Sequence, residues 1–335
     1  MKKYIIPYFV PHVGCPVGCV FCNQNEITGI EFTGESLKET VLENISYFKI
    51  KNPAELAFYG GSFTAINPSL RSKLLTEAKS LIDEGLISEV RISTRPDCID
   101  EKILEELKEN GVKTIELGVQ SLDIEVLKLS NRGHDPECVY TSSDLIKKWD
   151  FNLGLQQMIG LPGDTYTKSI HTAEEFVKIG PSMVRIYPTL VVKNTRLEKM
   201  YKSGVYKPLC LESAIDVSKD LLKIYRENNI DVIRIGLQPT ENINFDGDLV
   251  AGPFHPSFRQ LVEEKLIIDK LTKYRGSFGE SITIEANGRN ISYIAGNKGI
   301  NKQKVCEALG AKEIKLRLKN LDSGILLING EKIII

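Results

Sequence analysis

Short apolar runs alternate along the first two thirds of the chain with longer stretches in which apolar positions recur every three or four residues. The runs are YIIPYFV from residue 4, ELAFYGG from 55, EVRIST from 89, TIELGVQ from 114, FNLGLQQMIG from 151 and MVRIYPTL from 183. Their length and content predict strands, and the spacing between them predicts helices over 36–50, 68–84, 99–110, 136–149 and 166–179. This alternation predicts parallel strands with crossover helices, an α/β fold. Six such units fit either an open doubly wound sheet or a curved, incomplete barrel, and periodicity does not separate the two. Both arrangements put ligand chemistry at the carboxyl ends of the strands.

Residues 211–229 predict a further amphipathic helix, with Leu211, Ile215, Leu221, Leu222 and Tyr225 near one face, leading into DVIRIGL as a seventh strand. The less regular stretch 237–256, around GPFHPSF, is expected to cap the sheet. From about residue 279 the pattern changes. SITIEAN predicts a strand, NISYIAGNKGINKQKVCEALG two short helices around GNKG, and EIKLRLK and GILLINGEKIII strands again. The chain therefore reads as a large domain over 1–278 and a small α+β domain over 279–335. The small domain carries nine Lys and Arg against six Asp and Glu, a net of +3.

Composition narrows the partners. With 42% hydrophobic and 26% charged residues and a net charge of -1, no global field points to nucleic acid or membrane, so any such surface is local. No window approaches the ~18 uninterrupted apolar residues of a membrane span. The start, MKKYIIPYFVPHVGC, has Pro7 and Pro11 and no small-residue cleavage site, which argues against a signal peptide. A cytoplasmic protein is expected. In that reducing setting an odd count of seven cysteines argues against a disulfide framework, and a tight cluster of them points to metal binding or reactivity.

Three of the seven fall inside HVGCPVGCVFC, residues 12–22. Gly14, Pro16 and Gly18 disfavour a helix, so Cys15, Cys19 and Cys22 are expected on an irregular loop where their sulfurs converge. Thiolates bind zinc or iron–sulfur clusters. His12 would complete a Cys3His zinc set; a four-iron cluster held by three cysteines instead leaves one iron open. Further candidates follow the strands. Gly60 and Gly61 allow close backbone approach, with an ordinary strand-to-helix turn as the plain alternative. Thr94 and Arg95 end the third run. Glu116, Gln120 and Ser121 end the fourth; a carboxylate there suits a sulfonium or ammonium, and an amide suits ribose hydroxyls. Arg132 suits a carboxylate or phosphate. Gln157, beside Met158 and Ile159, stands where an adenine would stack, unless it is simply core. His134, His171 and His255 show no triad partner and receive no catalytic role.

The C-x3-C-x2-C spacing, with Phe21 before the last cysteine, resembles the signature of radical S-adenosylmethionine (SAM) enzymes. The resemblance implies a partial (β/α)6 barrel. It also implies a 4Fe–4S cluster on Cys15, Cys19 and Cys22, with S-adenosyl-L-methionine chelated to the open iron. Reductive cleavage then yields a 5′-deoxyadenosyl radical. It further implies cofactor contacts from Phe21, Gly60, Gly61, Ser62, Thr94, Glu116, Gln120, Arg132, Gln157 and Arg185, and an electron donor such as flavodoxin or ferredoxin. ELGVQS, LSNRGHD, RIYPTLVVKNT and YKSGVYKP together resemble the radical domain of the Elongator catalytic subunit, over roughly residues 8–240. That likeness implies transfer RNA as substrate and roles for Arg185, Tyr187, a catalytic Lys193 and Arg234. The Elongator subunit spaces its first two cysteines farther apart and continues into an acetyltransferase domain. This chain is expected to lack room for one before Ile335, which leaves open whether acetyl-coenzyme A is used.

YIAGNKGINKQKVCEALG resembles the helix–GxxG–helix of a KH domain, which implies an RNA-backbone clamp at Gly296, Asn297, Lys298 and Gly299. An ordinary inter-helix turn is the alternative. The expectation is a radical SAM enzyme acting on RNA. Its rivals are a radical enzyme for a small molecule such as a tetrapyrrole, and a non-catalytic iron–sulfur RNA-binding protein.

Overall fold

The predicted alternation is realised in the computed structural model, which describes residues 4–10, 15, 17–23, 36–48, 54–237 and 243–335. β1 (Ile5–Val10) leads to α1 (Leu37–Ser46), β2 (Ala54–Gly60) to α2 (Pro68–Asp83) and β3 (Ile87–Thr94) to α3 (Glu101–Glu109). β4 (Val112–Gln120) leads to α4 (Ile124–Leu129) and α5 (Pro136–Lys148), and β5 (Asn152–Ile159) to α6 (Tyr166–Ile179). Then come β6 (Met183–Pro188), the short β7 (Val191–Val192), α7 (Arg196–Lys202), α8 (Leu211–Glu227) and β8 (Asp231–Ile235). Helix starts are chemically marked. Asn67, Asp100, Asp135 and Thr165 each accept from a backbone N–H of the first turn, caps worth about 1 kcal/mol each. Gly180, at φ 70°, ends α6.

Among the described residues seven strands pair in parallel, in the order β1-β2-β3-β4-β5-β6-β8. That order never reverses, whereas a doubly wound sheet must reverse at its switch point. Successive right-handed crossovers then put the helices on one side. The sheet is a partial barrel, with the strand expected at DVIRIGL as its seventh.

Strand phase separates core from cavity. Leu56 and Phe58 of β2, Val90 and Ile92 of β3, Ile115 and Leu117 of β4, and Val184 and Ile186 of β6 are fully buried toward the helices. One residue out of phase stand Glu55, Arg91, Glu116, Gln156 and Arg185, which share the inner face. Side chains alternate across a strand, so one face can be apolar core while the other is polar.

β9 (Leu249–Ala251) pairs antiparallel with β7, and Leu190, Val192, Ile243 and Leu249 pack together there. Residues 238–242 of the expected cap lie outside the described residues.

The chain divides into two compact units, Met1–Val217 with Ile224–Pro256, and Ser218–Lys223 with Ser257–Ile335. The second contains α9 (Phe258–Thr272), β10 (Ser281–Ala286), α10 (Gly288–Ala295), α11 (Asn301–Leu309), β11 (Glu313–Leu318), β12 (Ile325–Ile328) and β13 (Glu331–Ile334). Its sheet order is β11-β10-β12-β13, parallel between β10 and β11 and antiparallel thereafter. Ile282, Ile284, Ile294, Val305, Leu309, Leu326 and Ile328 form its core, with Ile267 and Leu271 from α9. Among the described residues no helix is long and apolar enough to cross a membrane.

Candidate active site

Within the first unit a cavity of about 780 Å³ opens on the inner face of the sheet. That lies within the range of roughly 300–1,000 Å³ typical of small-molecule sites. Cys15, Cys19 and Cys22 all line it, with Phe21 beside them. None of the seven cysteines is paired in a disulfide. Among the described residues no three His, Cys, Asp or Glu side chains gather closely enough to hold a single metal ion. His12, the alternative zinc ligand, and Gly14 and Pro16 of the loop lie outside the described residues.

Cys15 Sγ is 3.4 Å from Ser62 Oγ. Cys19 Sγ accepts from Arg132 Nη1 at 2.9 Å, and the Cys22 N–H donates to the Cys19 carbonyl. Phe21 packs against the cluster of Val20, Val191, Leu197 and Tyr206.

The wall beside the sulfurs is polar and incompletely partnered. Gly60, Gly61, Ser62, Ser93, Thr94, Arg95, Gln120 and Arg132 line it. Thr94 Oγ1 is 2.6 Å from Thr64 Oγ1, and Asp97 accepts two hydrogen bonds from Arg95. Among the described residues, four side-chain atoms carried by this wall are buried without a hydrogen-bond partner: Ser93 Oγ, Arg95 Nη1, Gln120 Oε1 and Arg132 Nε. Buried polar groups are normally paired, and four of the nine unpartnered side-chain atoms among the described residues belong to residues of this wall. Gln120 also holds the left-handed conformation at φ 74°, uncommon for a residue other than glycine. Gly60 answers a different need. A Cβ there would stand 2.4 Å from the Val10 carbonyl oxygen, so its missing side chain makes room for β1.

The floor of the cavity is the opposite case, a chain of paired charges. Arg91 donates to both Glu55 oxygens at 2.8 and 2.9 Å and to Glu116 at 2.9 Å. Arg185 grips Glu116 through Nε and Nη2, donates to Tyr59 Oη at 2.9 Å and lies over the Tyr59 ring. Gly154 makes room, since a Cβ there would fall 2.9 Å from Glu116 Cγ. Burial alone would raise the Glu116 pKa, but the guanidinium groups of Arg185 and Arg91 outweigh it and hold the carboxyl below its usual range. Burial likewise raises the Tyr59 hydroxyl, against the opposing charge of Arg185.

Most of the expected site residues therefore meet. Arg185, Tyr187 and Arg234 line the cavity with the cysteines. Glu116 lies beneath it with its carboxylate occupied by two arginines. Gln157 does not reach the cavity. It is fully buried on the helix side, donating to the Ser169 carbonyl and accepting from Tyr225 Oη, and its neighbour Gln156 lines the cavity instead. Ser121 also turns away, toward Thr172. Lys193 is not brought to the cavity either. The β7–β9 pairing carries it to Asp248, 3.6 Å away, with its side chain 49% exposed. Sequence reasoning missed Glu55, Tyr59, Arg91, Ser93 and Gln156. Charged residues inside strands that must be buried on both faces were the available signal for Glu55 and Arg91.

Fold and site thus define an incomplete parallel barrel with a sulfur-walled ligand cavity on its inner face. The chain belongs to the Radical SAM superfamily, whose family model matches residues 9–176, and the Radical SAM C-terminal domain model matches residues 181–267. It is a radical SAM enzyme. Over 248 residues it is 31% identical to a tRNA uridine(34) acetyltransferase of Methanocaldococcus infernus, covering 61% of this chain and 46% of that protein. It therefore spans about half the length of that relative. The heme chaperone HemW of Lactococcus lactis is 22% identical over 235 residues, covering 68% of this chain and 61% of that protein. In fold the chain is similar to the archaeal Methanocaldococcus infernus Elp3, with a TM-score of 0.64 at 22% identity, covering 80% of this chain and 63% of that one.

Proposed function

We propose that Cys15, Cys19 and Cys22 hold a 4Fe–4S cluster with S-adenosyl-L-methionine on its open iron, and that the enzyme modifies RNA, specifically a transfer RNA. The observation that carries this reading is the cavity wall, where three sulfurs stand beside four buried polar atoms that lack partners. This donor set fits the group: soft thiolates suit iron, and the unpartnered atoms suit a zwitterionic nucleoside. When bound, the cluster supplies the electron that cleaves the sulfonium to methionine and a 5′-deoxyadenosyl radical. The chain's residues do the rest. Ser62, Ser93, Thr94, Gln120 and Arg132 bind and orient the cofactor. The apolar side chains of Phe9, Val17, Phe21, Ile233 and Leu237 line the other part of the cavity. The Glu55–Arg91–Glu116–Arg185 chain holds the floor rigid toward substrate.

RNA is supported by the named activity of the 31% identical relative and by the second unit. There α10 and α11 flank a turn in which Gly296, Lys298 and Gly299 all have positive φ, 68°, 52° and 80°. Asn297 and Lys298 on this turn are exposed, as are Lys302 and Lys304 on α11. We read residues 279–335 as a KH-like clamp for an RNA backbone. The test is to measure 5′-deoxyadenosine from the reconstituted, reduced protein with and without transfer RNA, alongside the nucleosides of that RNA. Stimulation by RNA with one altered nucleoside is expected. Product formation indifferent to RNA, with every nucleoside unchanged, would point to a small-molecule substrate instead. Charge reversal at Lys298, Lys302 and Lys304 is expected to weaken RNA binding and flatten its salt dependence.

A further inference from the structure

The segment LSNRGHD contributes more to the site than one side chain. Residues 130–133 dock along the cysteine loop at several points. The Val20 N–H donates to the Ser130 carbonyl at 3.1 Å, and Asn131 Nδ2 donates to the Gly18 carbonyl at 2.7 Å. Arg196 reaches that same Gly18 carbonyl from the other side, and the Leu197 N–H donates to the Val20 carbonyl at 2.8 Å. Gly133, at φ 77°, has no room for a side chain, because a Cβ would lie 2.7 Å from Val17 Cγ2.

Within this clamp Arg132 has a fixed geometry. It is 5% exposed, its Nη2 donates to the Gly118 carbonyl and its own carbonyl accepts from Arg95 Nη2. Nη1 is thereby aimed at Cys19 Sγ, 2.9 Å away. Cys15 Sγ stands 3.4 Å from a hydroxyl, Ser62 Oγ. The guanidinium is permanently charged, so the Cys19 and Cys15 sulfurs are electrostatically unequal. A charge-assisted N–H···S hydrogen bond withdraws electron density from a ligand sulfur and favours the reduced cluster.

We infer that Arg132 sets the reduction potential of the cluster through its hydrogen bond to Cys19, while Asn131 only holds the loop. This rests on the cluster reading proposed above, and the two fail separately. The experiment is a potentiometric titration of the reconstituted full-length protein without S-adenosyl-L-methionine, reading the reduced-cluster signal alongside iron and sulfide content. For Arg132→Gln the midpoint should fall by a shift equivalent to roughly tenfold in the reduction equilibrium, about 59 mV for one electron. Arg132→Lys keeps the charge but loses the planar fork, so its midpoint should lie between Gln and wild type. Because a lysine variant is the more certain to load, it carries the test where the glutamine variant does not take up iron. Asn131→Ala should keep the wild-type midpoint and lose iron faster to a chelator. Wild-type midpoints in loaded Arg132 variants would overturn this inference and leave the cluster reading intact. A wild-type protein that takes up no iron and sulfide would overturn the cluster reading, and this inference with it.

Discussion

The two walls of one cavity are built on opposite rules. On the floor, the buried Glu55, Arg91 and Glu116 and the half-buried Arg185 are paired in alternation. Beside the sulfurs, Arg95, Gln120 and Arg132 are buried and Ser93 is half-buried, and among the described residues each keeps one buried polar atom without a hydrogen-bond partner. A satisfied buried network stiffens what it belongs to, whereas unsatisfied atoms cost stability until a ligand answers them. On the function proposed above, the contrast separates the part of the site that is finished by folding from the part finished by binding.

The largest effect tests the binding wall. Replacing Cys15, Cys19 or Cys22 with alanine is expected to abolish both cluster assembly and 5′-deoxyadenosine formation, read by iron analysis and chromatography. Next comes the floor. Glu116→Gln removes the carboxylate shared by Arg91 and Arg185, and should cost about 3–5 kcal/mol in urea denaturation, as breaking a buried ion pair does. A cost under 1 kcal/mol would mean the chain of charges is not a structural element.

A third prediction concerns pH. His134 follows the clamp and is 8% exposed, with no well-formed hydrogen bond at either ring nitrogen. Burial, then the charge of Arg132, pushes its pKa down to about 4 from 6.5. The unfolded chain therefore binds a proton between those values that the folded chain refuses. Stability should be full above pH 6.5 and fall by roughly 3 kcal/mol as pH drops to about 4. Denaturation in His134→Gln should show a shallower slope in that window. Glu116 acts in a lower window. Its contribution is present above about pH 4.5 and is lost as pH falls through its depressed folded value. The smallest effect returns to the binding wall. Ser93→Ala removes one of its unpartnered atoms and should raise ligand-free stability by up to about 1 kcal/mol while weakening S-adenosyl-L-methionine binding roughly five- to tenfold. Calorimetric titration reads the second and denaturation the first.

Much of this was legible before the structure. Alternating runs gave the order and type of the elements, and the cysteine spacing with the residues at strand ends gave most of the cavity wall. Phase was the weak point. Gln156 and Gln157 are adjacent amides in one strand, and only the register of neighbouring strands decides which faces the cavity. Lys193 was placed by resemblance, while its position follows from a two-strand pairing with residues nearly sixty positions later. The clamp on Gly18 joins positions 113 and 178 residues apart, through side chains with no periodic signature. Local pattern carries no information at that range.

The central claim is that the sulfur wall is completed by an iron–sulfur cluster and a sulfonium nucleoside. Anaerobic reconstitution followed by spectroscopy before and after adding S-adenosyl-L-methionine tests it most directly. About four irons per chain, with a reduced-cluster signal that changes when the nucleoside is added, is the predicted result. A colourless protein carrying one zinc on the same three cysteines would contradict it.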